Sequence, residues 1–170
     1  MKLCIGFTLV EIVISVGIML IIVGSLGGFV VSLQSARQHM ASAQEVDGNF
    51  RIALDLLGSR IRGARGVNAG ASIFDTDPGV LSLEMANPAL NPTVFRLDQD
   101  NGILQMQEGA GSPVSVTSNE VRVSDLVFSL RSPAGEPENV GIALTIDYYS
   151  QTDSYAGFSH SLTTAVTARE

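Results

Sequence analysis

Gly6-Phe7-Thr8-Leu9-Val10-Glu11 opens an apolar run in which no further charge occurs until Arg37. From Phe7 to Leu33 there are 27 residues, and Glu11 is the only ionisable one among them. At about 1.5 Å per residue a helix of that length reaches roughly 40 Å, more than the ~30 Å hydrocarbon core of a bilayer. The sequence therefore predicts a membrane-spanning helix over 7–33. The carboxylate is the anomaly, since an acidic side chain at the centre of a spanning helix costs on the order of 2.5 to 3.5 kcal/mol even on lenient scales. Glu11 needs a cationic companion.

The order of features is a short leader with one cation (Lys2), then Gly-Phe-Thr-Leu-Val-Glu, then a hydrophobic helix. It resembles the type III signal of type IV prepilins and pseudopilins. The resemblance implies cleavage between Gly6 and Phe7 by a prepilin peptidase, which also N-methylates the new amino terminus at Phe7. It further implies that Glu11 pairs with the Phe7 amine of a neighbouring subunit. The physics agrees, because two opposite charges that are each costly in lipid become tolerable together. On this reading Glu11 fixes register in an assembly and catalyses nothing. The rival is an ordinary secretory signal or anchor on a secreted or membrane-anchored enzyme or binding module, with Ser25-Leu26-Gly27 as a small-x-small cleavage site. That rival gives the carboxylate at the start of the apolar segment no purpose.

Lys2 precedes the apolar segment and the chain beyond Arg37 is acidic, which places the leader in the cytoplasm and the carboxy-terminal part outside it. The expected location is a single-pass position in the inner (cytoplasmic) membrane, followed by a pilus or pseudopilus filament. The formal net charge is −7, and from Val67 to Glu170 four arginines face thirteen acids. Such a surface repels phosphate backbones, so direct nucleic-acid binding is not expected. The one cysteine, Cys4, lies in the leader, so a processed chain has no disulfide to rely on.

After Leu33 the apolar pattern thins to Leu33, Ala36, Met40, Ala43, Phe50, Leu54, Leu57, Ile61 and Ala64, with Val46 standing in where Asp47 interrupts. These three- and four-residue steps predict an amphipathic helix over 34–66, continuous with the membrane helix. Asp47, Arg51 and Asp55 stand four apart, the spacing of weak surface ion pairs. Arg60, Arg62 and Arg65 with Gly63 and Gly66 read as the helix end, cations at the negative pole and glycine for a left-handed cap. In the membrane half, Gly24, Gly27 and Gly28 mark either a flexible point or a face for close helix packing. The pilin-like family commonly has a proline near Gly28, and this chain has none there.

Beyond Val67 the period falls to two. Predicted strands are Val80 to Met85, Thr93 to Leu97, Ile103 to Gln107, Glu120 to Val123, Leu126 to Arg131, Val140 to Tyr149 and Leu162 to Ala168. Asp98-Gln99-Asp100-Asn101-Gly102 is a hairpin signal. The fold class is α+β, with a long amino-terminal helix packed on one antiparallel sheet formed by 67–170. This plan also resembles the pilin fold. The absence of the disulfide-bounded loop of many major pilins points within the family to a minor pilin or pseudopilin of a type IV pilus-like or type II secretion filament. Its partners would be other pilin or pseudopilin subunits, the prepilin peptidase and an inner-membrane assembly platform.

Chemistry is scarce elsewhere. His39 and His160 lie in no metal-ligand spacing, and there is no nucleophile elbow or phosphate-cradling loop with a lysine. No cofactor and no catalytic residue are expected. Asp98 and Asp100 are weak candidates for Ca²⁺, lacking the full loop spacing and the bidentate glutamate of an EF-hand.

Overall fold

The computed structural model describes residues 8–131, 138–149 and 158–168. A helix, α1 (Leu9–Gly63), is followed by eight strands: β1 (Ala64–Val67), β2 (Leu81–Met85), β3 (Thr93–Asp98), β4 (Ile103–Glu108), β5 (Val114–Ser115), β6 (Val121–Arg131), β7 (Asn139–Tyr148) and β8 (Ser159–Thr167). The chain divides into two compact units, 1–40 and 41–170.

In the first unit the described residues are helical from Leu9 onward, and the described large apolar side chains are exposed. The second unit holds the core. Along its part of α1 the buried positions are Ser42, Val46, Asn49, Phe50, Ala53, Leu57, Gly58 and Ile61, a stripe recurring at three- and four-residue steps. Phe50, Leu57, Ile61 and Ala64 are buried as the periodicity predicts, and Leu54 is half-buried. Leu33 and Met40 are not part of the stripe: they are 44% and 68% exposed. Apolar spacing continues through them, but the covering layers begin only opposite Ser42. The side chains of Ala36 and His39 lie outside the described residues.

The layer opposite the helix is two antiparallel sheets rather than the expected one. The first has the order β1-β2-β3-β4-β5 and the second β6-β7-β8. Leu81, Leu83, Phe95 and Leu104 from the first join Leu126, Phe128, Val140, Ile142, Leu144 and Ile146 from the second in one core with the helix stripe. Each such side chain taken out of water contributes roughly 1.5 to 3 kcal/mol, and these terms hold the unit together without a disulfide. Loop 75–79 links the sheets. The amides of Asp75 and Gly79 donate to the carbonyls of Phe128 and Leu126 at 2.8 and 2.7 Å, and the Leu126 amide donates to Asp77 Oδ1 at 3.0 Å. These bonds cover the outer edge of β6.

Several boundaries depart from the sequence reading. The two predicted strands from Glu120 to Arg131 are one, β6, with a register shift between Val123 and Asp125. That bulge flips the alternation, so Val121 and Val123 face the core before it and Leu126 and Phe128 after it. The helix stops at Gly63 rather than reaching residue 66, and Ala64–Val67 leaves it as β1. Neither Gly63 nor Gly66 has a positive φ, so no left-handed glycine cap forms. Arg65 belongs to β1 and Arg60 pairs with Glu108 at 2.7 Å. Asp47 meets His160, and among the described residues neither Asp47 nor Asp55 forms an ion pair with Arg51.

Candidate functional site: the start of the amino-terminal helix

The helix begins immediately after Thr8, and Thr8 is why. The Glu11 amide donates to Thr8 Oγ1 at 3.3 Å and the Ile12 amide to the Thr8 carbonyl at 3.2 Å. Thr8 is thus the N-cap, satisfying one of the amides that a helix start leaves without a partner. Glu11 falls three residues later, in the first turn, where a carboxylate meets the positive pole of the helix. Thr8-x-x-Glu11 is the spacing of a capping box, a signal present in the sequence but overshadowed by the apolar run that makes Glu11 stand out as a charge.

Magnitudes decide whether the helix end alone suffices for Glu11. Carboxylate and macrodipole are worth about 0.3 to 1 kcal/mol, against a transfer cost on the order of 2.5 to 3.5 kcal/mol at depth. The helix end offsets only part of the cost. Glu11 is exposed, and among the described residues no cation pairs with it. Gly6 and Phe7 lie outside the described residues.

From Leu9 to Gln34 the helix is long and apolar enough to cross a membrane, with 26 residues and none of its apolar window buried in the chain. This is consistent with membrane anchoring. The helix runs through Gly24, Gly27 and Gly28 without interruption, and apart from its chain neighbours and the backbone of its own helical turns a Cβ added at any of them would meet no described atom within 4 Å. Nothing inside the chain requires glycine at these positions.

The second region singled out by sequence, the β3–β4 hairpin, has its own internal explanation. Asp98 Oδ2 accepts from Asn101 Nδ2 at 2.9 Å and from Gln105 Nε2 at 3.2 Å, while Oδ1 accepts from the Asp100 amide at 3.2 Å. The Asn101 side chain is the largest influence holding the Asp98 carboxyl below its usual range; desolvation opposes it, and the Asp100 and Asn101 amides and the Arg96 charge lower it further. Of the pair Asn101-Gly102, only Gly102 takes a positive φ, 66°. Its amide closes the loop onto the Asp98 carbonyl at 2.7 Å. Asp98 and Asp100 thus shape a turn, and no group of three or more His, Cys, Asp or Glu with metal-holding geometry occurs among the described residues.

His160 does packing work. It stacks on Phe50 with ring centroids 4.5 Å apart, and its Nδ1 lies 2.7 Å from Asp47 Oδ1. Nearby, Asn49 Nδ2 donates to Glu45 Oε1 at 2.8 Å and Asn49 Oδ1 accepts the Ser118 amide at 2.7 Å. These contacts fasten the helix to the sheets.

Comparison with protein-family models, with curated proteins and with solved structures finds no match to this chain.

Proposed function

We propose that the chain is a structural subunit, a minor pilin or pseudopilin, of a type IV pilus-like or type II secretion filament. On this reading it is cut between Gly6 and Phe7, methylated at Phe7 and assembled through the helix that follows. The single observation that carries the reading is Glu11: one exposed carboxylate in the first turn of an otherwise uncharged spanning helix, with no cation paired to it among the described residues. A freshly cut amino terminus on a neighbouring subunit is the cation that fits. The apolar faces from Leu9 to Phe29 then pack against like helices, and glycines at 17, 24 and 28 permit close approach. The acidic β-sheet unit forms the outer surface.

Incorporation is the test. Glu11→Ala leaves processing and membrane insertion intact but lowers the amount of subunit recovered in sheared filaments, measured against the membrane pool. Undiminished incorporation would sink the pairing.

A further inference from the structure

Asn101-Gly102 is the only Asn-Gly step in the chain. Such a step carries its own chemistry: the backbone nitrogen of the second residue can attack the side-chain amide carbon of the first, and a glycine puts no Cβ in the way. Both reacting groups are held by one residue. The Gly102 amide donates to the Asp98 carbonyl at 2.7 Å, and Asn101 Nδ2, the nitrogen that would leave, donates to Asp98 Oδ2 at 2.9 Å. Asp98 thus restrains nucleophile and leaving group alike. Asn101 itself is exposed in the β3–β4 loop, the kind of place where a chain opens locally at least cost.

We propose that Asn101 is a self-modification site, converted to aspartate or isoaspartate when the hairpin loop opens, with Asp98 as the latch that sets the rate. The step needs only water. Gly102 N bonds to Asn101 Cγ, the Cγ–Nδ2 bond breaks, and ammonia leaves with the proton of the Gly102 amide, giving a succinimide ring. Water then opens the ring. Cleavage between Gly102 N and Cγ gives aspartate, and cleavage between Gly102 N and the α-carbonyl carbon gives isoaspartate, in which the main chain runs through the former side chain.

The product does not fit the latch. A carboxylate only accepts, so an acid at position 101 sets acceptor against acceptor where Asn101 had donated, beside an Asp98 carboxylate that also receives the Asp100 amide and the Gln105 side chain. Like charges then oppose reclosure. The consequence reaches the other sheet. Gly102 is buried, its carbonyl accepts the Val123 amide of β6 at 2.8 Å, and Arg122 packs so closely that a Cβ on Gly102 would lie 2.4 Å from its Cγ. Isoaspartate adds a methylene to the main chain immediately before this contact, so conversion loosens the hold of the hairpin on β6.

The test holds the full chain in detergent micelles at mildly alkaline pH and follows the Asn101 peptide by mass spectrometry, with fragmentation separating aspartate from isoaspartate. The folded chain gains the mass of an amide-to-acid exchange at Asn101, more slowly than the same chain in denaturant. Asp98→Ala speeds conversion severalfold in the folded chain and leaves the rate in denaturant where it was, whereas Asp100→Ala, which removes neither latch bond, leaves both rates in place. Asn101→Asp, standing for the product, speeds hydrogen exchange of the Val123 amide. The proposal is overturned by an Asn101 peptide that stays unchanged in the folded chain while the denatured chain converts, by a folded rate insensitive to Asp98→Ala, or by Val123 exchange that Asn101→Asp does not alter.

Discussion

Between Leu9 and Met40 the described large apolar side chains of α1 are 44% exposed or more, whereas between Ala41 and Gly63 the same helix buries Val46, Phe50, Ala53, Leu57 and Ile61 to 4% or less. Composition does not separate the two stretches in the direction water would dictate: the more apolar one is the more exposed. A helix that is apolar all round and uncovered by its own chain is suited to lipid or to other helices. The later stretch has a polar side and one stripe, and two sheets lie against it. One stretch finds its partners outside the chain and the other finds them within, so substitutions in the two should be felt in different assays.

The largest expected effect lies in the covered region. Phe128 is fully buried in the shared core, and Phe128→Ala should destabilise the sheet unit by about 3 to 5 kcal/mol through lost transfer energy and the cavity left behind. Denaturant unfolding of the chain in detergent checks this, and a loss under about 1 kcal/mol would break the contrast. A smaller effect sharpens the account of the hairpin. Because the Asp98 carboxyl is held below its usual range in the folded state, its contribution is present above the unfolded value and is lost as pH falls through the lower folded value. In Asn101→Ala, removal of the largest cause should bring the Asp98 titration, followed by carboxyl NMR, back toward the ordinary range. The smallest effect is the most telling. Leu20→Ala, in the exposed stretch, should leave the unfolding of the sheet unit within about 0.5 kcal/mol of the unsubstituted chain.

Much of this contrast can be read from residue order, because the two periodicities are local. The uncharged run to Leu33, the helical stripe at Phe50, Leu57 and Ile61, and the alternation in β7 each come from one segment and need no partner to be recognised. What escaped depends on distant contacts or on irregularity. β1 has four residues with a glycine inside, and β5 has two, too few for a period to show. The bulge after Val123 changes parity in mid-strand and makes β6 look like two strands. Division into two sheets is set by which strands pair, and alternation is silent on pairing. At the candidate site, Glu11 announced itself as a charge where none belongs. Thr8 did not, since its role as a cap appears only when the first turn is seen. The fastening of Asn49 to Ser118 and of Asp47 to His160 spans 69 and 113 residues, beyond any local signal.

The central claim is that the exposed stretch begins at a cut and methylated Phe7 whose amine answers Glu11. The mass of the amino-terminal peptide, taken from chain purified out of cells that possess a prepilin peptidase, tests it most directly. The account predicts N-methyl-Phe7 as the first residue. An intact Met1, or a start near Gly28, would contradict it.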